Sequence, residues 1–193
     1  MKRYKKIILP VILAIGVTAC ETVDPFDVIN PNLSEDALIG QPNSASIWLN
    51  GIERQVAITI NNTVIIAEIA SDNYQNTNTF YNQFLDDLTI DYQDDDLDDA
   101  QFHIARLREM ALYGIEEVGP NDPSYSDDVE AEFLFYMGYS HLLAGEYFKV
   151  LPATPAGQLE PRNAHYELAV KYFTESYNIN QNTAALLARA RAN

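Results

Sequence analysis

The stretch AEFLFYMGYSHLLAGEY, residues 131–147, and its counterpart YELAVKYFTESYNINQ, residues 166–181, decide how this chain reads. With residues 148–165 set aside, the two pieces form a single helical hairpin of about 34 residues. The residue types carry the expectation. Gly138 is small enough to let a partner helix approach closely, and Ala169 and Ser176 offer small side chains on the facing helix. Leu134, Met137, Phe173 and Ile179 are apolar and fill the space between. Gly145 is expected to supply a positive-φ turn out of the first helix. The alternative is two ordinary amphipathic helices without a special relation.

Working outward, Asp127 with Glu130 has the spacing of a capping box for the first helix. Phe133, Phe135, Tyr136 and Tyr139 place aromatic rings on more than one side of it, as for a helix enclosed by neighbours. The insertion 148–165 contains Pro152, Pro155 and Pro161 and is expected to be a loop. Asn163 is placed to cap the second helix. Asn182-Thr183 opens another helix over 184–192, whose Leu186, Leu187, Ala188 and Ala190 begin a further hairpin without its partner. Helical arrays need about three units to bury their faces. The sequence therefore reads as the N-terminal portion of a longer protein.

Upstream, Leu49, Ile52, Val56 and Ile60 recur at helical spacing, with Ala45 and Trp48 on the same face. Asn61-Asn62 is expected to interrupt, with a second helix over 63–69 ending at Ser71-Asp72-Asn73-Tyr74. The following polar and aromatic stretch includes Asp72, Asn73, Tyr74 and Tyr81, a mixture suited to sugars. Ring faces stack on a pyranose and amides read its hydroxyls. A capped surface loop is the plainer reading. Asp91 to Asp99 is strongly acidic, but no glycine lies between Asp91 and Tyr113, so the EF-hand pattern fails. An irregular calcium site stays open beside a simpler account, in which the carboxylates complement the positive end of the next helix dipole. That helix is expected over 97–118, with Ile104, Leu107, Ala111, Ile115 and Val118 on one face, and Gly119-Pro120 stopping it. Arg106 and Arg108 offer charges to neighbouring acids.

The chain has 193 residues and a formal charge of −16. Four basic residues (Lys2, Arg3, Lys5, Lys6) precede any acid; without them the balance is 8 basic against 28 acidic. Such a surface repels phosphate backbones, which argues against nucleic acid as a partner. After the basic start comes an apolar run, Ile7 to Val17. A bilayer-spanning helix needs roughly 20 residues, so this run fits a signal-peptide core over residues 1–19 instead. It ends Val17-Thr18-Ala19-Cys20, and Cys20 is the sole cysteine. This resembles a bacterial lipobox, with Cys20 acylated and residues 20–43 as tether and lead-in loop. A plain signal peptide with an incidental cysteine is the alternative. Acyl chains anchor at about 0.8 kcal/mol per buried methylene. Within the tether, Ser34-Glu35-Asp36 is expected to cap a short helix through Ile39.

Taken together, the expectation is an all-α fold over 44–193 with a repeat at 131–181 that resembles a tetratricopeptide hairpin. The lipobox, the Asn30-Pro31-Asn32 loop, the Ser71-Asp72-Asn73 helix end and the hairpin split by a proline-rich loop resemble the SusD/RagB family of Bacteroidota outer-membrane lipoproteins. Trp48-Leu49-Asn50-Gly51 with Arg54-Gln55 is similar to that family's first helix, and Ala131 through Tyr147 to its first repeat helix. The resemblance implies a mostly helical, cell-surface protein that captures glycans or sometimes peptides. It implies a SusC-type TonB-dependent barrel as partner, no cofactor and no catalysis. The family's members are several hundred residues long, a departure that puts ligand binding by this chain in question.

The sequence offers no enzyme motif. His103, His141 and His165 stand apart without metal-ligand spacing, and no GxSxG or phosphate loop occurs. Each histidine reads as a helix or loop residue, His141 where the first repeat helix faces its partner. Two functional classes remain: a nutrient-binding lipoprotein, or an envelope scaffold of repeat type that binds no ligand.

Overall fold

A computed structural model describes residues 35–77, 83–87, 89 and 95–193. The chain divides into two units at Leu38. Of the first, the described part is the single turn α1, Glu35–Leu38. The described residues of the second are mostly helical, with one two-stranded sheet among them. No helix among the described residues is long and apolar enough to cross a membrane.

Helix α2, Ser44–Ala70, runs unbroken through Asn61-Asn62, where the sequence led us to expect two helices. The reason lies in the polar side chains. Thr59 Oγ1, Asn62 Nδ2 and Thr63 Oγ1 donate to the carbonyls of Gln55, Ile58 and Thr59 at 2.8, 2.9 and 3.0 Å. Bonding back one turn satisfies these groups inside the helix, so they do not compete with it. The buried stripe is Ile52, Gln55, Thr59, Thr63 and Ile66, not the expected Ile60, which is exposed. Its polar members are satisfied across the interface as well. Gln55 Nε2 donates to the His103 carbonyl at 3.3 Å, and that oxygen, 3.1 Å from Thr59 Oγ1, is the alternative acceptor for the one hydroxyl hydrogen of Thr59.

After the short α3, Gln83–Asp86, helix α4 covers Asp95–Tyr113 and passes into a π-helical segment, Gly114–Val118. Asp95, Asp96 and Asp98 occupy its first turn, where the dipole favours negative charge. Gly119-Pro120 does not stop the rod. One more turn, Gly119–Asn121, follows with Pro120 near its start, where a missing N–H costs little. Gly114 and Val118 are buried and Ile115 only partly so. A Cβ on Gly114 would lie 3.1 Å from the Phe133 ring.

The turn then closes on Asp122. Its carboxylate accepts from Asn43 N, Ala45 N and Ser124 N at 3.2, 3.0 and 2.8 Å, and from Ser124 Oγ at 2.8 Å. This clasp holds the start of α2 to the end of the α4 rod. Asn43 stands there in the left-handed region at φ 68°.

Helix α5, Asp127–Tyr147, is capped by Ser126, whose Oγ accepts from Val129 N at 3.4 Å. The expected capping box from Asp127 is thus replaced by its neighbour, and Asp127 sits in the first turn. The helix packs against α2, α4 and the following α6, Arg162–Asn180, which explains apolar residues around its circumference. Contacts with α6 run in opposite directions along the two helices. Ser176 Oγ donates to Ala131 O at 2.7 Å near one end, and His141 meets His165 near the other. Between them, a Cβ on Gly138 would lie 2.8 Å from Phe173 Cδ1. Ala169, Phe173 and Ser176 are fully buried. Gly145 is helical and not at positive φ, contrary to expectation. Its use is room, since a Cβ there would lie 2.9 Å from Tyr166 Cε1.

The insertion is not simply a loop. Strands β1, Val150–Pro152, and β2, Leu159–Pro161, pair antiparallel with Leu151 opposite Glu160. Prolines at the strand ends are compatible with so short a ribbon, because they need not donate. Helix α6 starts at Arg162 directly after Pro161, with no side-chain cap from Asn163. Helix α7, Thr183–Ala192, starts as expected, with Asn182 Oδ1 accepting from Ala184 N at 2.9 Å. Asn182 reaches Glu132 at 3.2 Å and Arg191 reaches Glu146 at 2.7 Å, so α7 runs parallel to α5.

Candidate functional site

Of the residues proposed from sequence, Cys20 and Tyr81 lie outside the described residues, as does 91–94 of the acidic stretch. Asp72, Asn73 and Tyr74 form the turn that ends α2. Asp72 N donates to Ile69 O at 3.1 Å with φ at 58°, and Asn73 N and Tyr74 N both donate to Glu68 O at 2.9 Å. Asn73 Nδ2 donates to Ser71 Oγ at 3.1 Å. This folded turn sends Tyr74 back over its own helix. The ring, 56% exposed, lines a cleft of about 510 Å³ together with Ala57, Ile60, Asn61, Val64 and Ile65. Asp72 and Asn73 shape the turn but are not part of the cleft wall. Ile60 and Val64 are themselves exposed there, giving an apolar floor with one amide at its side. Asn61, read from sequence as a helix breaker, is the amide that faces this cleft; its position beside Ile60 and three residues before Val64 was the signal.

A second cluster was not legible from residue spacing. His141 and His165, 24 positions apart, are both buried and bring their Nδ1 atoms within 3.1 Å. The proton positions follow from the partners. His165 Nε2 lies 3.0 Å from Leu151 O, and a carbonyl can only accept, so Nε2 carries hydrogen. In the neutral ring His165 Nδ1 is then an acceptor, and His141 Nδ1 donates to it. Tyr172 stacks on His141 with ring centroids 5.8 Å apart. Burial, the Arg108 charge and His165 push His141 down to about 3. Burial also lowers His165, against the opposing Leu151 hydrogen bond; Arg108 lowers it further and Glu160 raises it.

Both rings are thus neutral in the fold, while the unfolded chain takes up protons near 6.5. Stability associated with the pair is present above that value and is lost as pH falls from 6.5 toward 3. The midpoint of urea unfolding is expected to drop between pH 7 and pH 5, a window above the ordinary carboxylate range. The drop should shrink in His141→Gln. An equal drop in the variant would remove the pair as its cause.

The same region contains Arg108, with 4% of its surface exposed. Its Nη1 donates to Pro152 O at 2.7 Å. Two of the three carbonyls of β1, those of Leu151 and Pro152, are therefore tied to α6 and α4. Burial lowers Arg108, partly offset by Glu109. Comparison with family models, curated proteins and solved structures finds no match to this chain.

Proposed function

We propose that this protein is a lipid-anchored binding protein of the bacterial outer membrane, facing the cell surface. It captures oligosaccharide, or alternatively peptide, and passes it to a SusC-type TonB-dependent transporter, and it performs no chemistry itself. The observation that carries the binding role is the exposed Tyr74 ring over the cleft of Ile60, Val64 and Asn61. An aromatic face, an apolar floor and an amide are the groups that recognise a sugar ring. The opposed contacts of α5 and α6, with α7 alongside α5, support reading these helices as one tetratricopeptide-like hairpin and the start of another. The lipobox at Val17 to Cys20 supports the anchor.

The scaffold alternative draws on α7, where Leu186 and Leu187 are exposed. Titration of the full chain against a panel of neutral oligosaccharides separates the two. Saturable binding is expected, and Tyr74→Ala is expected to weaken it about tenfold, the loss of roughly 1.4 kcal/mol of ring contact. Tyr74→Phe should retain most of it. Silence across the panel, with pairing to the barrel retained, would favour the scaffold. Binding unchanged by Tyr74→Ala would move the site elsewhere.

A further inference from the structure

Between α4 and the β-hairpin lies a second cleft, of about 290 Å³, walled by Ile104, Ala105, Arg108, Leu151, Pro152 and Thr154. Its size falls near the lower end of small-molecule sites, about 300 Å³. The wall is built to stay in place. β1 is fastened by His165 at Leu151 and by Arg108 at Pro152, and the loop beyond is closed by Gly157 N donating to Thr154 O at 3.0 Å.

Arg108 is the unusual member. It is almost wholly buried, and its Nε is buried with no hydrogen-bond partner. The carboxylate beside it, Glu109 Oε1, stands 3.8 Å away, too far for a hydrogen bond, on a side chain 40% exposed. The other ionisable groups that face it, His141 and His165, are neutral. A buried cation without a hydrogen-bonded counter-ion is costly, because its lost hydration is not replaced. A guanidinium with Nη1 already committed still has an edge that matches the two oxygens of a carboxylate.

We propose that this cleft binds a small organic carboxylate, whose oxygens pair with the unpartnered Nε edge of Arg108 while its carbon body rests on Ile104, Ala105 and Pro152. Glu109 competes with the ligand for that edge and moves aside when it binds. The site shares no lining residue with the Tyr74 cleft, so either can fail without the other.

The test is titration of the full chain with two charged probes and their neutral mates: glucuronate against glucose, and N-acetylaspartate against N-acetylasparagine. Calorimetry gives affinity, and amide NMR shifts at Leu151, Ala153, Thr154 and Ala156 give location. A charged probe is expected to saturate while its neutral mate does not; which charged probe binds tells an acidic sugar from an acidic amino acid. Arg108→Met is expected to weaken binding at least tenfold. Glu109→Gln, at a partly exposed position, is expected to tighten it several-fold, and it decides the question by itself if Arg108→Met does not fold. The proposal is overturned if neither charged probe saturates, if a neutral mate binds equally, if Arg108→Met retains affinity within twofold, or if Glu109→Gln leaves binding unchanged or weaker.

Discussion

Phe173→Ala is expected to lower the unfolding free energy by about 3–5 kcal/mol, the range for emptying a buried aromatic site. Phe173 is fully buried on α6, and its ring occupies the space that Gly138 leaves open on α5. It also sits 5.6 Å from the Phe135 ring and belongs to the cluster of Leu142, Ala169 and Ala192. Helices α5, α6 and α7 all contribute to that cluster, so the cavity cannot close by movement of one side chain. The complementary change tests the same contact from the other side. Gly138→Ala puts a methyl 2.8 Å from Phe173 Cδ1, and overpacking of this kind costs about 1–3 kcal/mol. The pair Gly138→Ala with Phe173→Leu is expected to cost less than the two changes summed, since the smaller side chain makes room for the methyl. Urea unfolding of the four proteins measures this. Strict additivity would mean that the two residues do not meet.

Asp122→Ala is expected to cost about 3 kcal/mol, from hydrogen bonds to a charged group at about 1.5–3 kcal/mol each, less the part water recovers. The carboxylate is 6% exposed and satisfies the N–H groups of Asn43 and Ala45, which open α2, and two donors of Ser124. Without it Ala45 N, itself buried, loses its acceptor. Burial alone would raise the Asp122 carboxyl, but the donors of Ala45, Ser124 and Asn43 outweigh it and hold the group below its ordinary value. The clasp therefore contributes fully above the unfolded carboxylate range, about 3.9, and is lost as pH falls through the lower folded value. Asp122→Asn keeps the shape but removes the charge and turns one acceptor into a donor. It is expected to lose most of the same stability and to remove this acid-range dependence. A wild-type midpoint in either variant at pH 7 would show that the start of α2 is held by other contacts.

The two acid effects separate by window. The histidine pair acts between pH 6.5 and 3 and the Asp122 clasp below the ordinary aspartate range. Comparing pH 7, 5 and 3 in each variant assigns each loss to its group.

Short-range signals in the sequence carried much of this fold. Small residues at Gly138, Ala169 and Ser176 marked the contact face of the hairpin, because close approach admits nothing larger. Asn182 marked the start of α7 through a cap that spans two residues. The end of α2 at Ser71 to Tyr74 was also readable, and with it one wall of the Tyr74 cleft. What the sequence obscured depended on partners far along the chain. Asn61-Asn62 looks like a break until Asn62 and its neighbour Thr63 are seen bonded back one turn, beside a face buried on α4. Gly114, not the expected Ile115, is the buried position there, because the Phe133 ring of α5 packs directly against it.

The sequence by itself determined that the chain forms helices, where most of them lie, and which small residues let two of them touch. Those properties reside in neighbours within a turn or two, where the backbone period is regular. Only the tertiary structure decided that His141 meets His165, that Arg108 is buried against a strand carbonyl, and that the proline-rich insertion pairs into β1 and β2. These contacts join positions 24, 44 and about 10 residues apart. Their energies come from burial and from replacing lost water, which no local pattern records.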